Sequence, residues 1–304
     1  MTNQNTPLAR AATQASRELV PQLRKKLVGR HFASVNPFIK GDGITAFEYT
    51  TISDLSDGFV QWTLPTGNEH KDAITSSLRV VNIPSLYKEF EVPRSDILAW
   101  DNRTVSPGEE NSLHLLAANT AARKVAEEED KMIFNGWRTD NGSFAVKGFT
   151  QAANNVITGG SIATVGTLYE FISSAISALE EDDVYGENNS YNVALPPAIM
   201  AKLRTLRYTN GDRELVQVAE LCGDGSIYVT KNLDTTAIVT PVDTEREHLE
   251  FLNPVDYRIE FGHPKYDNIG MVEGVAYELF CPSYTRVNGN GRTDAVCKIT
   301  NLTP

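Results

Sequence analysis

The residue types that most often do chemistry are sparse in this chain and do not fall at motif spacing. Its five histidines include no HExxH-type pair that would bind zinc. Its three cysteines are an odd number without a CxxC pair, which argues against a zinc site and against a disulfide framework. These residues are His31, His70, His114, His248, His263, Cys222, Cys281 and Cys297. We predict no metal site, and interpret His114 as a surface or interface residue of a long helix.

Two acidic runs, Glu127–Asp130 and Glu180–Asp183, are the other candidates for chemistry. Paired carboxylates can hydrolyse glycosidic bonds or hold a divalent cation. Consecutive positions of a helix, however, point around its axis and do not converge on one substrate. Both runs are therefore interpreted as solvated faces or as a salt-bridge surface between subunits.

The glycine-containing stretches 41–43, 223–225 and 288–291 are turn signals. None has the order of a phosphate-binding loop, and no GxSxG nucleophile motif is present. We therefore predict no catalytic residue and no cofactor, and interpret the chain as a protein that is not an enzyme. A soluble α+β enzyme with an unrecognised site stays open as a distant alternative.

The charge of the chain is acidic overall but basic at its start. The 304 residues are 41% hydrophobic, enough for a sizeable core, and carry a formal net charge of −11. Such a chain does not coat nucleic acid through its overall field. In the first thirty residues, in contrast, Glu18 is the single acidic residue. The basic residues there are Arg10, Arg17, Arg24, Lys25, Lys26 and Arg30. Either a solvated face or a partner site inside an assembly would explain them.

The sequence shows no targeting signal and no membrane-spanning signal. No apolar segment follows the first residues, and no apolar run approaches the length that spans a bilayer. Together with the unpaired cysteines, this favours a reduced setting and a cytoplasmic protein without a membrane partner.

The elements that would position any site alternate between long helices and extended segments. A helix is predicted over 7–28, interrupted at Pro21, and a β-arm over 44–81 with a polar tip at 65–75. Ser106–Glu109 forms a helix start for a long helix that ends at Asn135 with a small-residue face. Further segments follow: helices at 164–179, 198–207 and 213–221, and strands at 191–195, 226–230, 236–240 and 295–300.

Three patches within this order of elements resemble encapsulins, protein shells that share their fold with the major capsid proteins of tailed phages and tailed archaeal viruses. The first patch is Leu27–Phe32, and the third is Tyr191–Leu206. The second joins Phe90–Asp101 to Ala121–Gly136 and Val146–Phe149, and is similar to the long spine helix of the family and the turn after it. The resemblance covers most of the chain as an order of elements.

The resemblance implies the Hong Kong 97-like capsid fold, an α+β class. An N-terminal helix or arm would occupy 1–43 and an extended β-arm, the E-loop, 44–81. A peripheral domain with the spine helix would combine 82–159 with 244–304, and an axial α/β domain would occupy 160–243. The implied function is a self-assembling icosahedral shell subunit, an encapsulin-type compartment that encloses cargo. The alternative is the major capsid protein of a tailed phage or archaeal virus that encloses DNA.

The resemblance also implies partners and contact residues. The partners are many copies of the chain in a closed shell, as pentamers with or without hexamers. An encapsulin would add a cargo targeting peptide, and a virus would add packaged DNA and a portal. Candidates for the cargo groove, by position, are Leu23, Leu27 and Phe32, for which packing against the spine helix is the competing interpretation. A candidate interior basic face comprises Arg17, Arg24, Lys25, Lys26 and Arg30.

Overall fold

The computed structural model describes residues 27–52, 76–93, 95, 113–139, 142, 144–182, 184–246, 248–261, 271–283 and 293–304. Several predicted features lie outside these ranges: most of the N-terminal helix, the part of the β-arm at 53–75 with its tip, and the helix start at 106–109. The helices are α1 (Leu113–Asn135), α2 (Phe149–Ala152), α3 (Thr167–Glu181), α4 (Pro197–Leu203) and α5 (Glu214–Leu221), with 3-10 turns at Gly29–His31, Glu187–Asn189 and Thr293–Ala295.

The described strands form two larger sheets and two hairpins. Their bounds are β1 (Ser34–Val35), β2 (Ala46–Ile52), β3 (Ser76–Asn82), β4 (Ser85–Pro93), β5 (Trp137–Arg138), β6 (Phe144–Val146), β7 (Asn155–Thr158), β8 (Tyr191–Leu195), β9 (Ile227–Val229), β10 (Ala237–Pro241), β11 (Glu250–Phe261), β12 (Met271–Ser283) and β13 (Cys297–Thr300). The predicted helices and strands within the described ranges are thus confirmed in type, with shifts of a few residues at their ends.

A four-stranded sheet in the order β1-β11-β12-β4 carries the long helix. β1 runs parallel to β11, and the other neighbours are antiparallel. Helix α1 packs on this sheet through the small residues that the sequence places on one face, including Ala118, Ala122 and Ala126, against Tyr257 and Ala276. Small side chains let the helix axis approach the strands closely, which explains why alanine recurs on this face.

A five-stranded sheet in the order β7-β13-β10-β8-β9 holds the larger core. β8 and β10 are buried at every position, and α3 packs against β7, β10 and β13. The last strand of the chain, β13, lies between β7 and β10. Segment 297–300 therefore pairs with β10 of the predicted axial region and joins segment 155–158 to the same sheet, although the sequence-based boundaries group both segments with the peripheral domain.

The base of the predicted arm is an antiparallel hairpin. β2 and β3 pair in register from Ala46↔Asn82 to Ile52↔Ser76, which confirms the two extended segments predicted there. The Ile83 amide donates to the Thr45 carbonyl at 2.8 Å, one step beyond the hairpin. A hairpin of two strands has no core of its own, so it needs packing from elsewhere to be stable.

Candidate functional site

The first described residues are fixed to helix α1 by one carboxylate. Asp130 Oδ1 accepts hydrogen bonds from the amides of Val28 at 3.1 Å and Gly29 at 2.6 Å, and Oδ2 accepts one from Asn232 Nδ2 at 2.6 Å. Burial raises the pKa of Asp130, and the donated amide hydrogen bonds oppose that rise. A Cβ atom on Gly29 would lie 2.6 Å from Ile133 Cδ1 and 3.0 Å from Asp130 Oδ1, so a larger residue here would crowd the side chains of the helix.

A buried ion-pair cluster, which we call the Arg30 cluster, joins this turn to the four-stranded sheet. It comprises Arg30, Glu129, Asn253, Tyr257 and Glu278. The guanidinium of Arg30 bonds Glu129 through Nε at 2.5 Å and Glu278 through Nη2. The Tyr257 hydroxyl donates to Glu129 Oε2 at 3.0 Å, and Asn253 Nδ2 donates to Glu278 Oε1 at 2.8 Å. Helix, turn and two strands therefore share one polar network.

The electrostatics of the Arg30 cluster follow from two carboxylates around one cation. Burial alone would lower the pKa of Arg30, but the charges of Glu129 and Glu278 outweigh it, so the pKa is raised and the guanidinium stays charged. Burial, followed by the same two carboxylates, raises the pKa of Tyr257, so its hydroxyl remains a donor. The side chains of Glu129 and Glu278 are 1% and 0% exposed. Such a network holds elements together and offers no surface to a substrate.

An aromatic cluster lies directly after this turn. The ring of Phe32 is 5.7 Å from Phe134, 5.8 Å from Phe149 and 5.3 Å from Tyr228, measured between centroids. His31 stacks on Tyr228 with centroids 5.0 Å apart and an interplanar angle of 9°. Phe134 belongs to α1 and Phe149 to α2, so the turn that follows the spine helix is tied to the start of the described chain.

The predicted contact residues separate into those in the core and those outside the described ranges. Phe32 is 1% exposed in the larger core, and Leu27 is half-buried against the helix–sheet cluster of α1. Arg30 is ion-paired and mostly buried, so it does not lie on an open basic face. Leu23, Arg17, Arg24, Lys25 and Lys26 lie outside the described residues. Their roles in a cargo groove or basic face stay predictions.

The interpretation of the acidic runs is wrong for part of each. Glu129 and Asp130 are buried and bind the turn before β1. In the second run, Glu180 accepts a hydrogen bond from the Tyr191 hydroxyl at 3.1 Å, and Asp182 accepts one from Asn155 at 2.7 Å. The sequence contained a signal for the first case: Ala122, Ala126 and Glu129 follow one another at helical spacing on the packed face. Glu278 had no such signal, because its partner Arg30 lies 248 positions away.

The described residues hold no cluster typical of catalysis. Within the described ranges, no group of three or more His, Cys, Asp or Glu side chains could hold a metal ion. Burial raises the pKa of Cys222 to about 11 and those of Cys281 and Cys297 to about 12, so these thiols are weak nucleophiles at neutral pH. None of the helices that the structure describes is both long and apolar enough to cross a bilayer.

The architecture defines the class of protein: it is the Hong Kong 97-like fold of capsid and shell subunits. The capsid of Myoviridae phage XM1 superposes with a TM-score of 0.66 at 13% identity, covering 90% of each chain. A virus-like particle from Pyrococcus furiosus gives 0.60 at 15% identity over 97% of this chain and 100% of that one. The capsid of a native GTA particle gives 0.60 at 12% identity over 90% and 89%.

The sequence assigns the chain to one family within this class of proteins. A family model described as an encapsulating protein for peroxidase matches residues 2–272. The chain belongs to this encapsulin family and is a self-assembling shell subunit. Its family and fold are those of structural shell proteins. A comparison with curated proteins gives no significant match.

Proposed function

We propose that copies of this chain close into an icosahedral, encapsulin-type compartment that encloses a cargo protein. The observation that carries the proposal is the family match over residues 2–272, since that family is described by the encapsulation of a peroxidase. The side-chain chemistry supports it, because the Arg30 cluster and the Asp130 carboxylate join elements of the subunit to one another. A peroxidase is accordingly the first cargo to test.

The test is to purify particles from the native cells and analyse what they protect. We expect hollow spheres in electron micrographs, elution at megadalton size, and one protein in addition to the shell subunit that resists added protease until the shell is opened. Intact particles that contain only DNA, protected from added nuclease, would contradict the compartment and support the viral capsid. A discrete monomer or dimer at high concentration would contradict both.

The viral alternative, a capsid that encloses DNA and joins a portal, has a specific observation in its favour. The phage XM1 capsid gives a TM-score of 0.66, above the 0.60 of the archaeal virus-like particle. At 13% and 15% identity this likeness concerns the fold. Neighbouring genes distinguish the two: a peroxidase or ferritin gene favours the compartment, whereas portal, terminase and protease genes favour the virion.

The arm over 44–81 is proposed to lie across a neighbouring subunit. Its described base, the β2–β3 hairpin, packs on the core of the same subunit through Phe47 and Val81, close to its root. Two paired strands that extend away from a core need packing from elsewhere, and a neighbouring subunit would supply it. Deletion of residues 65–75 should abolish particle formation while the circular dichroism of the subunit stays unchanged. An unchanged particle yield would contradict the assignment.

The remaining assignments rest on position in the chain. The proposal includes the peripheral and axial domains, a cargo groove at Leu23 and Leu27, a basic interior face at Arg17, Arg24, Lys25 and Lys26, and a cytoplasmic location. Phe32 and Arg30 are no longer part of the groove and the basic face, because Phe32 lies in the core and Arg30 in its ion-pair cluster. Serine substitution of Leu23, outside the described residues, tests the groove most directly, because Phe32 is a core side chain whose loss would unfold the subunit. Cargo should fall to background in particles of normal size; full cargo loading in those particles would contradict the groove.

A further inference from the structure

A short hairpin between α4 and α5 places two arginines side by side. In this segment, residues 206–214, which we call the Arg hairpin, Arg207 and Arg213 lie directly opposite each other in an antiparallel bridge. Backbone hydrogen bonds of 2.9 and 3.2 Å close the ladder on the two sides of this pair. A pair enclosed in this way is the non-hydrogen-bonded pair of an antiparallel ladder, in which the two side chains are closest together.

This pairing is electrostatically unfavourable in a single subunit. Like charges directly opposite each other on paired strands are destabilising. Both arginines are exposed, and neither forms an ion pair within the part of the chain that the structure describes. The carboxylate of the turn, Asp212, accepts a hydrogen bond from Asn210 Nδ2 at 2.6 Å instead. Carboxylates from outside the subunit would offset the repulsion.

The opposite face of the Arg hairpin is fixed to the body of the subunit. Glu214 is 0% exposed, and its Oε1 accepts a hydrogen bond at 3.2 Å from the Tyr169 amide in the first turn of α3. On the exposed face, Arg207 Nη1 donates to the Gly211 carbonyl at 3.3 Å. An anchored hairpin loses little conformational freedom on binding, which is the property of an interface anchor.

The Arg hairpin belongs to a basic end of the subunit. Lys202 and Arg204, just before it, bring the number of cations in this stretch to four. The acidic residues close to them, apart from the buried Glu214, are Asp212 and Glu170 in the first turn of α3. A local excess of positive charge in a chain with a net charge of −11 marks a surface suited to an acidic partner.

Helices α3 and α5 connect this basic end to an acidic one. Both begin at the contact of Glu214 with α3, and both end beside Tyr191, whose hydroxyl donates to Glu180 and whose amide donates to the Cys222 carbonyl. Neither helix has a basic residue in its last turn. The acidic end, by which we mean the carboxylates there and in the adjoining loops, comprises Glu181, Glu187, Glu220, Asp224 and Glu245.

Hydrogen bonds hold the loops of the acidic end together. The Asp224 amide donates to Ser190 Oγ at 2.9 Å, and Glu187 Oε1 accepts from the Thr244 amide at 2.7 Å. Arg246 is the one cation in the sequence of these loops, 182–190, 222–226 and 242–246. The excess of carboxylates at this end is therefore clear.

The helix dipoles make this distribution of charge unfavourable within one copy. A helix carries partial positive charge at its N-terminus and partial negative charge at its C-terminus. The basic end adds cations near two helix N-termini, which Glu214 offsets in part, and the acidic end adds carboxylates near two C-termini. A contact between unlike ends of two copies reduces both penalties.

We propose that the Arg hairpin of one copy binds the acidic end of the next copy, with Arg207 and Arg213 at Glu220 and Asp224. The contact rests on the shell function, because self-assembly brings many copies of the chain together. It joins two different surfaces, so it is heterologous, and contacts of that type close into rings. Unlike charges also orient the two copies as they meet.

Charge exchange tests the contact in the full chain. Arg207→Glu with Arg213→Glu should raise the subunit concentration needed for half-assembly by roughly ten-fold or more, because like charges then meet across the contact. Adding Glu220→Lys and Asp224→Lys to the same chain should restore assembly, since every copy then carries both reversed surfaces. The four side chains are exposed, so the circular dichroism of the unassembled subunit should stay unchanged.

The matched control is Arg123→Glu with Lys131→Glu, which reverses two exposed cations of α1 and changes the net charge by the same amount as the arginine reversal. This control should assemble like the wild type. An equal rise in the control would assign the effect to net charge and overturn the contact. Failure of the wild-type chain to form particles would instead contradict the proposed function.

Two further results would overturn the contact. One is a fourfold variant that assembles no better than the arginine reversal. The other is an arginine reversal that assembles normally; if its particles lose packaged nucleic acid, the Arg hairpin binds phosphate in the interior and not a second copy.

A neutral variant gives a second measurement where the reversed chains fail to fold. Arg207→Gln with Arg213→Gln removes the repulsion between the arginines and also their attraction to the next copy. Its half-assembly concentration should be higher than that of the wild type at low salt and should change less steeply as salt is added. The same salt dependence in both proteins would contradict the proposal.

Discussion

Glu127 and Glu128 occupy the same helical turn as Glu129 and Asp130, yet the two pairs have no partner in common. Glu127 bonds Lys124 at 3.0 Å and Glu128 bonds Lys131 at 2.8 Å, within the helix and with 32% and 55% of the side chains exposed. Glu129 bonds Arg30 and Tyr257, and Asp130 bonds the backbone of Val28 and Gly29. One acidic run therefore contains a solvated pair and a buried pair.

The difference shows that burial, and not residue type, decides what a carboxylate does for the fold. An exposed pair gains little because water screens it and two long side chains must be ordered. A buried pair is expensive to desolvate and stabilises only while every partner is present, so removing one partner leaves an uncompensated charge. Substitutions at the buried pair and its partners should consequently have far larger effects than matched ones at the solvated pair.

The largest effect is expected for Arg30→Met, because it leaves Glu129 and Glu278 buried without a cation. We expect a loss of about 3–5 kcal/mol in the free energy of unfolding, measured by urea denaturation at a fixed subunit concentration. Arg123→Met, which removes an exposed ion pair of α1, is the matched control and should change the same quantity by less than about 1 kcal/mol. Equal losses in the two variants would contradict the distinction between the pairs.

Asp130→Ala comes next, because it removes the acceptor of two amides and of the Asn232 side chain. We expect a loss of about 2–3 kcal/mol in the same measurement, the scale of buried donors left without acceptors. Amide hydrogen exchange gives an independent check, since Val28 and Gly29 should lose their protection selectively. Unchanged protection at both amides would show that Asp130 does not hold the turn.

Gly29→Ala should lose about 1–3 kcal/mol by overpacking. The added Cβ would lie 2.6 Å from Ile133 Cδ1 and 3.0 Å from Asp130 Oδ1, so the buried Ile133 side chain, the turn or the helix must shift. Gly160→Ala is the control, because its added Cβ would lie 4.0 Å from the ring of Phe171, an ordinary van der Waals contact. Thermal unfolding should separate the two variants, and a neutral Gly29→Ala would contradict close packing between the turn and Ile133 of α1.

The sequence was sufficient to predict the order of elements, since β8 and β10 are rich in apolar residues and α1 has alanines at helical spacing. The shell fold, in contrast, was implied by the resemblance of three patches to encapsulins. The sequence was not sufficient to predict the Arg30 cluster, because Arg30 and Glu278 are 248 positions apart in the chain. Their contact depends on the tertiary fold, which brings β12 next to the turn at Gly29–His31. The same limit applies to β13, whose apolar pattern predicted a strand but not its place between β7 and β10.

The pH dependence of stability distinguishes Asp130 from the exposed carboxylates. Burial raises its pKa in the folded protein, so the folded state takes up a proton at a pH where the unfolded carboxyl, with a pKa of about 3.9, is still ionised. The contribution of Asp130 to stability should therefore increase as the pH falls through the raised pKa towards about 4, and be lost again as the pH rises. The measurement is the unfolding free energy of wild type minus that of Asp130→Asn across this range. This difference should become more positive as the pH falls, and a difference that becomes more negative would contradict the raised pKa.

The smallest effect is expected for Glu128→Gln, which is isosteric and removes the charge of the solvated pair. Its partner Lys131 is 55% exposed, so water replaces the lost contact, and the free energy of unfolding should fall by only about 0.2–0.5 kcal/mol. That loss should disappear in 1 M salt, where the screening length is about 3 Å.

Glu129→Gln is the matched substitution one position along, and its larger loss should persist in salt because the Arg30 cluster is shielded from solvent. A salt-insensitive loss at Glu128 would mean that another subunit covers this face in the particle, and the solvated pair would then be an interface.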